Sequence, residues 1–152
     1  MGKTWFEGSN DINCNIQEMQ SSFEKIGELY TNVVSLMPGL TSVELVKEGS
    51  DFVTIKTNEG EMKRTNITKK VEAHSLILEF DEEYKAGKMV TAKSHFVDEF
   101  VSNSTGVNHK MVISDVKAPG FLGFFYRSFG SSSIGNALLK SYKTYFESKE
   151  SD

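Results

Sequence analysis

Residues 118–147, APGFLGFFYRSFG followed by SSSIGNALLKSYKTYFE, carry the pattern that decides the architecture. In the second half Ile134, Leu138, Tyr142 and Tyr145 recur at intervals of four, four and three, with Ala137 and Phe146 beside them. That spacing is one apolar stripe on a helix of about three to four turns. Lys140, Lys143, Thr144 and Glu147 take the opposite side. Ser131, Ser132 or Ser133 can cap the start, because a serine hydroxyl accepts from backbone N–H groups that have no partner in the first turn. A helix with so broad an aromatic face has to lay it on something. The chain from Leu40 to Val116 supplies a sheet.

In that region the breakers Gly49-Ser50, Glu59-Gly60, Ala86-Gly87 and Ser104-Thr105-Gly106 mark off six strand-length pieces rich in Val, Ile, Thr and Phe. Loops this short favour antiparallel hairpins. A first strand from Lys3 to Cys14, interrupted by a bulge or bend at Gly8-Ser9-Asn10, brings the count to about seven. Between it and Leu40 lies the clearest helical pattern. Ile16, Met19, Phe23, Ile26, Tyr30, Val33 and Met37 alternate spacings of three and four. Asn15 with Glu18 has the form of a capping box, Gly27 divides the segment into two short helices, and Pro38-Gly39 ends it.

Two hairpins can be paired residue by residue. With the turn at Asn103 to Gly106, Phe96 faces Ile113, Asp98 faces Met111 and Phe100 faces His109, while Val97 meets Val112 and Glu99 meets Lys110 on the other face. A three-residue loop from Lys85 to Gly87 sets Leu76, Leu78 and Phe80 opposite Phe96, Ser94 and Ala92, with Glu79 meeting Lys93 outside. Each register gives an apolar face and an outer face with an opposite-charge pair. A slip of one residue would invert the faces. Between Val43 and Val71 the alternation chooses no face. Arg64 falls opposite Ile55 if Glu59-Gly60 is a two-residue turn, and a lone inward arginine there would suit a ligand carboxylate.

At 152 residues the chain fits one domain, 1–148, with a frayed tail at 149–152. Its formal charge of −4 and pI near 5.4, without a Lys/Arg-rich block, argue against nucleic acid and against a strongly anionic membrane surface. The single cysteine, Cys14, makes no internal disulfide, and the start MGKTWFEGS has no apolar run of signal-peptide length; a cytoplasmic protein is the expectation. No window has the ~18 to 20 apolar residues of a membrane span, so stable insertion is not expected. Transient contact through the aromatic loop Phe121 to Phe129 stays open, since that loop either plugs one end of the sheet or is partly exposed as a gate. Oligomeric state is not readable. Eleven Phe, five Tyr and six Met leave two readings, an aromatic core or a lined pocket.

A strand, two short helices, six antiparallel strands and a long C-terminal helix behind a Pro-Gly aromatic loop: in this order the chain resembles the SRPBCC superfamily, also called START-like or birch-pollen-allergen-like. Within it, the likeness is to the polyketide cyclase/dehydrase and lipid-transport group. Leu36-Met37-Pro38-Gly39-Leu40 is similar to the family's helix-to-strand corner, and Ala118-Pro119-Gly120-Phe121-Leu122-Gly123 to its approach to the final helix. The resemblance implies an α+β helix-grip fold, a curved antiparallel sheet wrapped around the last helix with a cavity between them. These motifs are structural corners, so they name no ligand.

Catalytic signatures are absent: no G-x-S-x-G, no Walker loop, no H-E-x-x-H and no dinucleotide fingerprint. Cys14, His74, His95 and His109 lack metal-site spacing, and neither metal nor cofactor is expected. What remains is a polar minority on an apolar wall. Leu78, Phe80, Phe96, Phe100, Met111 and Ile113 from the sheet, Leu138 and Tyr142 from the helix and Tyr126 from the loop form the candidate ligand-binding wall. Asp98 and His109, diagonal across one hairpin, are its polar contacts. The leading reading is a non-catalytic binder or carrier of a hydrophobic small molecule such as a lipid, isoprenoid or polyketide-like compound. The rivals are a cyclase or dehydratase using a pocket acid/base and a START-like co-chaperone module acting through its outer sheet.

Overall fold

A computed structural model describes residues 3–86, 89–117 and 131–150. Strand β1 (Thr4–Ile12) leads into helices α1 (Ile16–Ser22) and α2 (Ile26–Ser35). Six strands follow: β2 (Val43–Glu48), β3 (Val53–Thr57), β4 (Glu61–Glu72), β5 (Ser75–Ala86), β6 (Met89–Asn103) and β7 (Gly106–Lys117); helix α3 (Ser131–Glu150) comes last. The seven strands make one antiparallel sheet in the order β1-β7-β6-β5-β4-β3-β2. This is the α+β helix-grip architecture. Helix α3 packs on β1 and reaches β7 and α2, α2 covers β2 and β3, and α1 covers β5 and β6.

The local causes follow the sequence with some exceptions. Asn15 caps α1, its Oδ1 accepting from the N–H groups of Gln17 at 2.8 Å and Glu18 at 3.3 Å. The helical segment does divide, but at Phe23 to Lys25 rather than at Gly27. Gly27 lies in the first turn of α2, where a Cβ would overlap the carboxylate of Glu48 on β2. Strand β1 runs unbroken through Gly8-Ser9-Asn10, and its irregularity falls between Thr4 and Phe6 instead. Gly8 serves packing: a Cβ would stand 2.7 Å from the Phe6 ring and 3.2 Å from Leu139 on α3.

The β6–β7 hairpin has the expected register, Phe96 on Ile113, Asp98 on Met111, Phe100 on His109 and Glu99 on Lys110. The β5–β6 hairpin does not. Leu76 pairs with Phe100, Leu78 with Asp98 and Phe80 with Phe96, while Glu79 faces Val97 and Lys93 faces Glu83. The expected pairing is off by four residues, because β5 and β6 extend to Ala86 and Met89 with an irregularity after Tyr84. The observed register stacks Phe80 on Phe96 at 5.0 Å and 11°, so aromatic rings meet where the other register would have set Phe80 on Ala92. Arg64 pairs with Val53, and Ile55 with Met62, so the β3–β4 turn is longer than two residues.

Helix α3 has 20 residues, about 30 Å. It exceeds the three to four turns of its apolar stripe because polar residues continue it at both ends. Leu138, Leu139, Tyr142 and Phe146 are buried, with Ile134 and Tyr145 at the margin. Near its end Lys143 Nζ donates to the Asp11 carbonyl at 2.7 Å, and Glu147 accepts from the Asn13 N–H at 2.9 Å, which ties the helix to β1. Phe6 lies between strand and helix, and a Cβ on Gly135 would run into its ring. Gly135→Ala is therefore expected to destabilise the fold by about 1–3 kcal/mol through overpacking, despite alanine's better helix propensity. Urea denaturation of the two proteins measures this; a gain in stability would mean that Phe6 moves aside freely.

Candidate functional site

On the concave face, cross-strand pairing sets side chains in ranks. Leu76, Phe100 and His109 form one, Leu78, Asp98 and Met111 the next, and Phe80, Phe96 and Ile113 the third. Two polar groups thus enter an otherwise apolar wall. His109 Nε2 donates to Asp98 Oδ1 at 2.7 Å, and the two side chains are 0% and 1% exposed. The imidazole stacks on Phe100 at 4.2 Å and 15°, and Tyr142 of α3 meets it edge-on at 4.8 Å and 73°.

A second polar group lies one rank further along. Arg64 of β4 is buried, and its Nε donates to Glu82 of β5 at 3.0 Å. Its guanidinium stands 4.6 Å from the ring centre of Tyr30, 4.7 Å from Phe80 and 5.8 Å from Phe96. Burial opposes its charge and is the strongest influence on it, yet Glu82 with Tyr142 and Tyr30 raises its pKa and keeps the cation. Burial drives the pKa of Tyr30 and Tyr142 upward, so both phenols stay neutral. Tyr142 stands between the two halves: its ring meets that of His109 edge-on, and the nearby Arg64 cation works against the effect of burial on its phenol.

Four buried side-chain atoms in this set have no hydrogen-bond partner among the described residues: Tyr30 Oη, Arg64 Nη1, Asp98 Oδ2 and His109 Nδ1. Each such group typically costs ~1–3 kcal/mol. The arrangement offers donors, acceptors and an imidazole oriented by a carboxylate, inside a wall of aromatic rings.

Of the candidate residues, Leu78, Phe80, Phe96, Phe100, Met111, Ile113, Leu138 and Tyr142 lie in one continuous core, with Asp98 and His109 buried among them. Tyr126 and the aromatic loop lie outside the described residues. None of these ten lines the surface clefts between α2 and β2, about 560 Å³, or at the Pro38 corner beside α3, about 470 Å³. Two participants are not among the candidates: the sequence shows Tyr30 only as part of a helix stripe and does not single out Glu82, while Arg64, a candidate partner for a ligand carboxylate, stands on a strand of unassigned face. The parity of β5 was the available signal for Glu82, since it shares the inward phase of Leu76, Leu78 and Phe80. Arg64 in turn meets this protein carboxylate, where a ligand's had been expected.

The outer face carries a separate cluster. His95 Nδ1 lies 2.7 Å from Asp81 Oδ1, and its Nε2 lies 2.7 Å from Glu79 Oε2. A neutral imidazole has one N–H and cannot donate to both, so the pairing calls for the cation. Partial burial, the largest single influence, lowers the His95 pKa, but the bonds to Asp81 and Glu79 together outweigh it and raise it. A raised histidine stabilises fully below its ordinary value of about 6.5, and that contribution is lost as pH climbs through the folded value. Relative to His95→Gln, the wild-type melting temperature is expected to fall as pH rises from about 6.5 through the raised folded value. Parallel profiles for the two proteins would rule the effect out.

Among the described residues no group of three or more His, Cys, Asp or Glu side chains is placed to hold a metal ion, and no helix is long and apolar enough to cross a membrane. No protein-family model matches the sequence. No curated protein matches it significantly. Solved structures do match in fold. A protein from Rhizobium leguminosarum superposes with a TM-score of 0.64 at 11% identity, covering 93% of this chain and 94% of its own. A conserved protein from Geobacillus kaustophilus gives 0.61 at 14% identity over 94% and 92%. A STAR-related lipid transfer protein from Xanthomonas axonopodis gives 0.52 at 10% identity over 92% and 84%. At these identities the likeness is one of fold alone.

Proposed function

We propose that the protein binds a small, mainly apolar molecule between the sheet and α3 and holds it by one polar group. The observation that carries this reading is the set of four unpartnered polar atoms inside an aromatic interior. An interior built only for packing has no use for them, because buried ion pairs can often be replaced by apolar residues with no loss of stability or with a gain. Binding pockets, in contrast, combine apolar walls with a few convergent polar groups. Met19, Met37, Met62 and Met111 border or fill the interior, and methionine repacks at small cost when a guest enters. The name of the Xanthomonas axonopodis protein, lipid transfer, describes an activity of this kind on the same fold. A lipid, isoprenoid or polyketide-like compound fits the description.

A second reading rests on one feature of the same site. With its Nε2 committed to Asp98, His109 keeps Nδ1 for a proton of the guest, the arrangement of an oriented general base. That would make the protein a cyclase or dehydratase.

Native mass spectrometry of the protein as purified, with a Nile red titration, tests the first reading. The expected results are a retained mass removed by organic solvent, saturable one-to-one probe binding, and a melting temperature that rises with ligand concentration. Absence of both the retained mass and saturable binding would overturn it. Conversion of the retained compound on prolonged incubation would favour the enzyme.

A further inference from the structure

We infer that the polar group this site selects is uncharged and both gives and accepts hydrogen bonds, as a hydroxyl does, and that carboxylate-bearing lipids are discriminated against. The inference rests on the binding reading above and concerns the same interior.

The charge balance of the site is the first argument. Arg64 and Glu82 cancel one another through their 3.0 Å bond. Asp98 with His109 sums to zero when the imidazole is protonated and to minus one when it is neutral. In neither state does the interior hold a spare positive charge. Lys69, inward in register opposite Leu78, is exposed and donates to the Phe23 carbonyl at 3.1 Å. A guest carboxylate would add a negative charge beside Asp98 that no unpaired cation of the interior balances, and like charges in a dry site repel strongly.

The second argument is hydrogen-bond complementarity. Arg64 Nη1 only donates, and Asp98 Oδ2, as a carboxylate oxygen, only accepts. Tyr30 Oη and His109 Nδ1 can serve in either sense. A guest group placed between such donors and acceptors would itself have to donate and accept. A hydroxyl does so, an ionised carboxylate has nothing to give Asp98, and a hydrocarbon leaves all four atoms unsatisfied. Sites that hydrogen-bond a hydroxyl reject analogues lacking it, because their own buried groups then go unpaired.

The test is displacement of Nile red at pH 7.5 by three probes of equal chain length, decan-1-ol, decanoate and decane, from the wild type and from Tyr30→Phe and Asp98→Asn. Ionised decanoate also costs more to take out of water, so the variants decide. Tyr30→Phe is expected to weaken decan-1-ol roughly three- to tenfold, the worth of one neutral hydrogen bond, while leaving decane unchanged. Asp98→Asn, which keeps the shape and removes the negative charge, is expected to tighten decanoate relative to decan-1-ol. Decanoate binding as tightly as decan-1-ol to the wild type would overturn the inference, as would equal losses for decan-1-ol and decane in Tyr30→Phe. Should Asp98→Asn fail to fold, the Tyr30→Phe comparison alone decides. If none of the three probes displaces the dye from the wild type, the binding reading fails and this inference with it; binding with the wrong preference removes the inference alone.

Discussion

Asp98→Ala is expected to lower the unfolding free energy by about 1–3 kcal/mol, the range for leaving a buried hydrogen-bonding group without its partner. The loss comes from what is left behind. His109 is 0% exposed, and its Nε2 has Asp98 as acceptor at 2.7 Å. Its Nδ1 already lacks a partner among the described residues, so alanine at 98 would leave an imidazole with neither nitrogen satisfied. Water cannot easily repair this, because Phe100 stacks on one face of the ring and Tyr142 approaches edge-on. The double variant Asp98→Leu with His109→Phe removes both partners and keeps the volume apolar. Its stability is expected to return to the wild-type value or above, while binding of hydroxyl-bearing probes weakens. Urea denaturation at pH 7 measures both proteins. A loss below about 1 kcal/mol for Asp98→Ala would mean that the pair is solvated and that the site is not the dry interior argued for above.

The contrast between single and double variants separates a stabilising pair from a retained one. If the pair existed for stability, deleting both members would cost at least as much as deleting one. The expected recovery would instead leave a pair that the fold does not need, which is how a functional group inside a core behaves.

How far the sequence discloses this site depends on strand irregularities. The β6–β7 hairpin was legible because Ser104-Thr105-Gly106 is an unambiguous turn and no bulge interrupts the pairing of 95–103 with 106–114. Asp98 and His109 were therefore placed on the right face and diagonal to one another. The β5–β6 pairing expected from the sequence differs from the observed one by four residues, yet four is even, so the inward set Leu78, Phe80 and Phe96 is the same in both. Arg64 could not be assigned, and β4 shows why. Its pairing shifts between Thr65 and Thr68 around Asn66, which has a left-handed φ of 54°, and buried positions pass from Arg64 to Ile67. A bulge of this kind reverses the alternation halfway along a strand, so a period of two fits neither face. Strand β2 has a similar break between Leu45 and Lys47. The unassigned stretch from Val43 to Val71 is the part of the sheet that holds both breaks.

Leu138→Asp is expected to cost at least about 4 kcal/mol and to leave the chain unfolded or nearly so at 37 °C. Leu138 is 5% exposed in the core under α3. Truncation alone, as in Leu138→Ala, should remove ~2–5 kcal/mol by loss of buried surface and the cavity it leaves. Aspartate adds the desolvation of a carboxylate at a place where the neighbouring side chains Leu139, Tyr142 and Phe146 are buried and mostly apolar. Lys140→Asp, on the exposed side of the same helix, introduces the same residue without burial and should stay within about 0.5 kcal/mol. The comparison isolates the face of α3 from its helicity, since both variants place aspartate in mid-helix. Circular dichroism melts decide it. Equal melting temperatures for Leu138→Asp and Lys140→Asp would mean that α3 does not lie with this stripe on the sheet, and the interior formed by Phe100, His109 and Tyr142 would lose its cover.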